Sequence, residues 1–262
     1  MSDKGLVVVI GATGPLGKEC VLALESQGYR VRAASRRVEV ARELLLNKVK
    51  NPSRVDFVHV DVLENSVLSS VLKDAYAVFF CASASAGWRF PGTSKNTPKQ
   101  VDYLGAIRVA EAAAQAKVKR LVLVSSAMVT NRTSFPYLFL NSSFGRIMHW
   151  KRQGELGVIE THEKNPEMAY TIVRPGHLIN EAAKGAKSIV VDQGDRISWR
   201  VSRADVAQIC CACLQVENTV NATFEVAGRK QTESQSNLPE TYEALLSNIK
   251  PDKKLSATQG QS

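Results

Sequence analysis

Short runs of apolar, often β-branched residues alternate along the chain with longer segments whose apolar residues recur at helical spacing. A strand that is apolar at nearly every position has both faces buried, which is typical of a parallel sheet covered by helices on each side. This alternation predicts right-handed crossovers and a doubly wound α/β sheet. Ligands of such sheets bind beyond the carboxyl ends of the strands.

Residues 1–228 are predicted to form a single domain, a Rossmann fold with a mostly parallel, seven-stranded sheet. The predicted strands are residues 6–11, 30–35, 55–60, 77–82, 120–126, 169–175 and 222–228. The predicted helices are residues 15–27, 37–49, 64–73, 98–117, 144–163 and 203–216. Two insertions, 130–143 and 178–202, are expected to cover a substrate, since long loops in compact domains often serve as lids. Residues 229–262 are predicted to be a polar C-terminal tail with one short helix at 239–249.

Charge and cysteine spacing narrow the classes of function. The net charge is +9, but Lys and Arg are scattered among Asp and Glu, so no basic stripe predicts nucleic-acid binding. No apolar run approaches the roughly 20 residues that a membrane span needs. The five cysteines lack the spacing of a zinc site, and those near Cys210 follow a helical pattern that predicts core packing. We expect a cytoplasmic protein, or an organellar one if a transit peptide has been removed.

Three glycines follow the first predicted strand and begin the first predicted helix. Glycine lets the backbone turn sharply and lets a pyrophosphate approach with no Cβ in the way. The helix N-terminus then offers free N–H groups to the anion. At the start of a strand–helix–strand unit, this pattern predicts a dinucleotide site formed by Gly11, Thr13, Gly14, Pro15, Leu16 and Gly17.

The end of the second predicted strand indicates which dinucleotide is bound. About 20 positions after the glycines, where a carboxylate would hold the ribose of NAD, the chain carries Arg36. Arginine binds phosphate oxygens bidentately, so Arg36, with Arg37 and Ser35, predicts NADP(H). For Arg37 the alternative is a place on a solvated helix face. The ends of the next two strands are predicted to complete the cofactor site with Asp61, Val62, Cys81, Ala82 and Ser83.

These motifs together resemble the atypical branch of the short-chain dehydrogenase/reductase superfamily, which includes NmrA-like and biliverdin/flavin reductase-like proteins. The resemblance covers about residues 1–228 and rests on "GATGPLG", "HVDV", "VDYLGAIRVAEAAAQAKVKRLVLVSSA", "YTIVRPGHL" and "RVSRADVAQICCACL". In typical superfamily members a tyrosine protonates the substrate carbonyl, and a lysine one helical turn later lowers the pKa of that tyrosine and holds the nicotinamide ribose. The resemblance also implies nicotinamide-side contacts from Ser125, Pro175 and Gly176.

Carried onto this sequence, the resemblance places Ser126, or alternatively Ser125, at the substrate-positioning serine and Lys151 at the lysine. Ile147 stands where the tyrosine belongs, and an alkyl side chain cannot transfer a proton. Asp102 stands where typical members carry asparagine. These changes imply that ordinary ketone reduction is lost, while Lys151 still holds the ribose. The alternative for Lys151 is an exposed i,i+4 pair with Glu155.

Two residues are candidates to replace the missing proton donor. Tyr137 lies in the first insertion, which could bring its hydroxyl over the substrate. The alternative is an apolar wall against the sheet, formed by Phe135, Tyr137, Phe139 and Phe144. His177 follows the "RPG" segment near the expected nicotinamide, with a loop histidine satisfied by the backbone as its alternative.

The leading hypothesis is an NADPH-dependent reductase of a planar or conjugated small molecule, such as a flavin, quinone or pigment. Hydride transfer into an extended π-system needs no protein acid, because solvent can supply the proton. The main alternative is a non-catalytic NADP(H)-binding regulator or assembly factor that binds a partner through the C-terminal tail. Isomerisation or epimerisation with bound cofactor is a third alternative, and a homodimer is left open.

Overall fold

The computed structural model describes residues 4–84, 96–230 and 238–253. Its strands are β1 (Leu6–Ile10), β2 (Arg30–Ser35), β3 (Val55–His59), β4 (Ala77–Phe80), β5 (Arg120–Val124), β6 (Ala169–Pro175), β7 (Leu178–Ile179), β8 (Ile189–Asp192), β9 (Val201–Ser202) and β10 (Ala222–Gly228). Its α-helices are α1 (Pro15–Ser26), α2 (Val38–Leu45), α3 (Asn65–Leu72), α4 (Ala106–Gln115), α5 (Phe135–Ser143), α6 (Ile147–Lys164), α7 (Arg203–Ala212) and α8 (Tyr242–Leu246). A π-helical segment, Lys99–Gly105, leads into α4. Among the described helices, none is both long and apolar enough to cross a bilayer.

The main sheet has eight strands in the order β3-β2-β1-β4-β5-β6-β10-β8. All neighbours are parallel except β10 and β8, which pair antiparallel with Gly228 opposite Ile189. The chain runs outward from β1 through β2 and β3, and then returns to β4 on the other side of β1. This reversal of strand order leaves a crevice at the carboxyl ends of β1 and β4, where doubly wound sheets bind their ligands.

Apolar clusters lie on both faces of the sheet and hold the helices against it. One cluster joins α1, α7 and α8 to the strands and includes the buried thiols of Cys20, Cys210, Cys211 and Cys213. The other joins α3, α4 and α6 to the opposite face. The prediction that the cysteines near Cys210 pack in the core is therefore confirmed.

All seven predicted strands are present in the main sheet, and the doubly wound fold is confirmed. The prediction missed one strand of the main sheet, β8, which lies inside the segment 178–202 predicted to be an insertion. It also missed β7 and β9 in the same segment, which form a separate two-stranded sheet. The four-residue edge strand β8 is flanked by polar residues, so its local pattern is weak. The other insertion, 130–143, contains α5.

Part of the predicted C-terminal tail packs on the domain. Leu246 and Ile249 are buried, and the Asp252 carboxylate accepts hydrogen bonds from the Tyr170 hydroxyl and from the main chain and hydroxyl of Thr223. Residues 231–237 and 254–262 of the predicted tail lie outside the described residues.

Candidate cofactor and substrate site

The turn between β1 and α1 requires glycine for steric reasons. Gly11 has a φ of +90°, and a Cβ there would lie 2.7 Å from the main-chain nitrogen of Ala82. A Cβ on Gly17 would overlap the carbonyl oxygen of Gly11. α1 begins directly after Gly14, with Pro15 in its first turn. The turn therefore leaves the N-terminus of α1 open to an anion, as the sequence predicted.

The end of β2 presents two exposed guanidinium groups, those of Arg36 and Arg37. Arg36 donates a hydrogen bond to the side-chain oxygen of Asn96. Ser35 is buried; its hydroxyl lies 3.2 Å from that of Thr13 and accepts the main-chain N–H of Arg37 at 3.0 Å. Ser35 thus shapes the turn, while the exposed guanidinium groups of Arg36, bonded to Asn96, and Arg37 are accessible to a phosphate. This arrangement fits the 2′-phosphate of NADP(H), which a carboxylate here would repel.

Asp61 and Val62, two of the predicted cofactor-site residues, follow β3. The Asp61 carboxylate accepts the main-chain N–H of Leu63 at 3.0 Å, which fixes the local turn. Val62 is buried, and a Cβ on Gly105 would lie 2.9 Å from one of its methyl groups. The Val62 side chain therefore packs mainly against the π-helical segment.

A cavity of about 540 Å³ lies at the carboxyl ends of the central strands, a volume typical of small-molecule sites. It brings together predicted site residues from five separate segments of the chain. Those that line it are Gly14, Pro15, Leu16, Cys81, Ser83, Ser125, Ser126, Lys151, Pro175, Gly176 and His177. Sequence reasoning did not assign the other side chains that line it, because their approach to the cavity depends on how distant segments pack. They include Met128, Pro136, Leu140, Met148, Leu178, Ser198 and Arg203.

Lys151 is held by the carboxylate of Asp102, which is buried in the π-helical segment. The Lys151 ammonium lies 2.9 Å from Asp102 Oδ1, and the Ser83 hydroxyl donates to the same oxygen at 2.6 Å. The main-chain N–H of Ala84 donates to Oδ2 at 3.0 Å. Asp102 thus connects Lys151 to the loop after β4. π-helical turns of this kind often occur at functional sites.

Close packing of α6 against the π-helical segment brings Lys151 and Asp102 together. A Cβ on Gly154 would overlap the main-chain carbonyl oxygen of Asp102, so only glycine allows the two segments to approach this far. Lys151 lies one turn earlier on α6. The predicted alternative for Lys151, an ion pair with Glu155, is wrong, because Glu155 binds Arg174 and Arg152 instead.

Tyr137 is not brought into this set of residues. It is buried in a small cluster with Val129 and Met148, and it does not line the cavity. The alternative of an apolar wall is also wrong in part, because Phe135 and Phe139 are 78% and 51% exposed. The Tyr137 side chain of α5 points toward the protein interior. This position argues against the predicted role of Tyr137 as proton donor.

His177 and Ser126 both lie at the cavity. The carbonyl oxygen of His177 accepts the main-chain N–H of Val201 at 2.9 Å, and His177 is among the lining residues. The Ser126 hydroxyl donates to the carbonyl oxygen of Ala127 at 3.2 Å. Of the predicted proton donors, the structure therefore brings His177 to the cavity.

A buried network of ionic groups runs behind the cavity wall. Arg174 donates from Nε and Nη2 to the two carboxylate oxygens of Glu155 at 2.9 and 2.8 Å, and Arg152 lies 2.9 Å from the same carboxylate. Burial opposes ionisation of Glu155, but the charges and hydrogen bonds of its partners, Arg174 foremost and then Arg152, together hold the pKa of Glu155 below its ordinary value. On its other side, Arg174 lies 3.5 Å from Glu225.

Glu225 connects this network to the loop that follows β5. Its carboxylate accepts the main-chain N–H of Asp195 at 2.7 Å. The Asp195 carboxylate in turn accepts the main-chain N–H groups of Met128 and Thr130 and the Thr130 hydroxyl. Met128 has a φ of +66°, unusual for a residue with a side chain, and these bonds hold it beside the cavity.

The Glu225 carboxyl is predicted to make stability depend on pH. Burial raises the pKa of Glu225 from 4.5 to about 7, against the opposing charge of Arg174. Because the folded chain binds this proton more tightly than the unfolded chain, the contribution of Glu225 is present below about pH 4.5 and is lost as the pH rises toward 7. In Glu225→Gln, which mimics the neutral form, the Tm relative to wild type should rise from pH 5 to pH 8. A constant or falling difference in Tm would contradict this assignment.

An open, mostly parallel sheet with a glycine turn after β1 and exposed arginines after β2 defines a dinucleotide-binding domain of the doubly wound type. Residues 11–217 match the model of a family described as NAD(P)H-binding. The chain belongs to this NAD(P)H-binding family, and the predicted NAD(P)-binding Rossmann fold is confirmed. The family match shows a nicotinamide dinucleotide, NAD(P)H, as the cofactor of the site.

Three relatives illustrate the range of this similarity. The chain is 32% identical over 251 residues to an uncharacterised chloroplastic protein of Arabidopsis thaliana, covering 93% of this chain and 82% of that protein. It is 30% identical over 226 residues to the chloroplastic protein TIC 62 of the same plant, covering 81% of this chain and 34% of TIC 62. It is 29% identical over 157 residues to sanguinarine reductase of Eschscholzia californica, covering 58% of this chain and 53% of that enzyme.

Solved structures share the fold at lower identity. An oxidoreductase of Lactococcus lactis matches with a TM-score of 0.70 and 22% identity, covering 92% of this chain and 94% of that chain. A short-chain dehydrogenase/reductase of Veillonella parvula, solved in complex with NADP, matches with a TM-score of 0.66 and 16% identity, covering 88% and 97%.

Proposed function

We propose that the protein is an NADPH-dependent reductase of a planar or conjugated small molecule. The observation that carries this proposal is a cavity that combines the cofactor turn with Lys151 but has no tyrosine at position 147. When bound, NADPH supplies a hydride. The chain itself has to hold the cofactor, orient an acceptor and leave a route for any proton.

Each of these tasks has a candidate in the cavity. Lys151, oriented by Asp102, is placed to donate hydrogen bonds to the nicotinamide ribose. The apolar side chains of Met128, Leu140 and Met148 can pack on a flat acceptor and exclude water. Because Ile147 cannot donate a proton, the site favours an acceptor whose π-system takes up hydride, with a proton from solvent or from the His177 imidazole.

Similarity supports the same class of reaction. One relative, sanguinarine reductase, is named as a reductase. The matched region covers about half of the length of that enzyme. The relatives described as chloroplastic favour an organelle, rather than the cytoplasm, as the location of this protein.

The test is steady-state turnover of NADPH with a panel of free flavins, quinones and linear tetrapyrroles. We expect turnover with at least one class, and we expect Lys151→Met to lower kcat/KM by about 10- to 100-fold, since a charged hydrogen bond to the ribose is lost. Lys164→Met is the matched control, because Lys164 lies on the same helix and pairs with Glu160 at an exposed position. NADPH binding without turnover across the whole panel would refute the proposal.

The second candidate is a non-catalytic NADP(H)-binding regulator. The loss of the proton donor at Ile147 favours this candidate. So does the similarity to TIC 62, because the matched region makes up only 34% of that longer protein. In that case the cofactor would control affinity for a protein partner. Pull-down with NADP⁺ and with NADPH distinguishes the two functions: a regulator requires a partner whose affinity changes with the cofactor, in a protein that shows no turnover.

A further inference from the structure

Positive charge predominates among the side chains that line the cavity. The charged side chains that line it are those of Lys151 and Arg203, and no carboxylate is among the described lining groups. Lys151 is already balanced by Asp102 at 2.9 Å. Arg203, by contrast, is left as a cation facing a cavity whose walls are otherwise largely apolar.

Arg203 is the first residue of α7 and is half-buried. Its Nη1 donates to the side-chain oxygen of Asn180 at 2.7 Å, a neutral partner. No ion pair within 4.0 Å joins Arg203 to a carboxylate in the described part of the chain. Burial lowers the pKa of Arg203, with no carboxylate to counter it. An anion placed against this guanidinium would restore the favourable interaction that burial removes.

The nearest carboxylate in sequence, that of Asp205, is fully engaged elsewhere. It accepts hydrogen bonds from the Ser202 hydroxyl at 2.6 Å, from the main-chain N–H groups of Lys184 and Gly185, and from the Tyr242 hydroxyl at 2.6 Å. Asp205 is buried by these contacts. Asp205 therefore fixes the start of α7 and does not pair with Arg203.

Arg203 lies on a different segment of the chain from the groups assigned to the cofactor phosphates, although Gly14 and Pro15 line the same cavity. Those groups are the N-terminus of α1 and the arginines after β2, whereas Arg203 follows the short strand β9. Leu178, which pairs with Val201 of β9, lines the same cavity. Because the cofactor phosphates already have the N-terminus of α1 and the arginines after β2 as partners, we assign Arg203 to the substrate.

We propose that Arg203 is a specificity-determining residue that binds a carboxylate group on the planar substrate. This inference rests on the proposed reductase function and names its substrate class more narrowly: conjugated molecules with an acidic substituent. Arginine binds carboxylates in a planar, bidentate geometry, so a flat acid held at its carboxylate end would also be oriented in the cavity.

Binding to the NADP⁺ complex tests this assignment without any need for turnover. The probes are anthraquinone-2-carboxylate and its neutral methyl ester, measured by isothermal titration calorimetry. We expect the wild type to bind the acid about 10-fold or more tightly than the ester, the typical effect of a charge-assisted hydrogen bond. Arg203→Met should remove this preference and leave the affinity for the ester unchanged, whereas Arg203→Lys should keep part of it.

The matched control is Arg196→Met, since Arg196 is exposed and already pairs with Asp192. The affinity for NADPH should be unchanged in every variant. Equal binding of acid and ester by the wild type would overturn the proposal, and so would a loss of NADPH affinity in Arg203→Met, which would assign Arg203 to the cofactor. A retained acid preference without turnover of any acceptor would instead refute the reductase function and leave the role of Arg203 intact.

Discussion

Glu155→Ala is expected to lower the free energy of unfolding by about 3–5 kcal/mol, because it leaves buried arginine charge without its partner. Glu155 is fully buried, and its carboxylate binds both Arg174 and Arg152. Arg174, itself buried, would keep only the longer contact with Glu225. Urea unfolding at neutral pH measures the effect.

Two variants separate charge from other causes. Glu155→Gln keeps the volume of the side chain and should still be strongly destabilising, because the loss arises from charge. Glu160→Ala on the same helix removes only an exposed pair with Lys164 and should change stability by less than about 1 kcal/mol. If Glu155→Ala were no more destabilising than Glu160→Ala, the network would not stabilise the fold.

Arg36→Glu is expected to reverse the preference between the two nicotinamide cofactors. The substitution removes a charged partner of the 2′-phosphate and adds a carboxylate that repels it, so NADPH affinity should fall by about 10- to 100-fold. NADH affinity should hold or improve, since a carboxylate here can accept the ribose hydroxyls. Fluorescence titration with both cofactors measures this change.

The control for this substitution is Arg42→Glu. Arg42 lies on α2, where its guanidinium packs over the ring of Phe57 at 5.1 Å from the centroid, away from the end of β2. The same reversal of charge there should leave the ratio of the two affinities unchanged. An unchanged ratio in Arg36→Glu itself would mean that Arg36 does not contact the 2′-phosphate.

The sequence specified the fold and the cofactor turn well because both depend on local patterns. Apolar strands and the glycines at 11, 14 and 17 act through neighbours a few residues away, and the structure shows the clash that each larger side chain would create at Gly11 and Gly17. The strand β8 was missed because a short edge strand depends on its partner β10 more than on its own pattern.

The substrate side was harder to predict, because it depends on contacts between distant segments. The sequence did not indicate that Asp102 would bind Lys151, since that pair depends on the close approach at Gly154. Nor did it separate Tyr137, which packs inward, from Pro136 and Leu140, which line the cavity from the same helix. A residue's face on a short helix is set by what packs against it, and periodicity over nine residues does not fix it.

The contact between Asp102 and Lys151 has a consequence for how this protein can evolve. Loss of Lys151 alone would leave a buried carboxylate unpaired, and loss of Asp102 alone would release the lysine and the loop after β4. The two positions are therefore expected to be epistatic, so that the effect of changing either residue depends on the other. Replacing Asp102 and Lys151 together is therefore expected to cost less stability than the sum of the two single replacements.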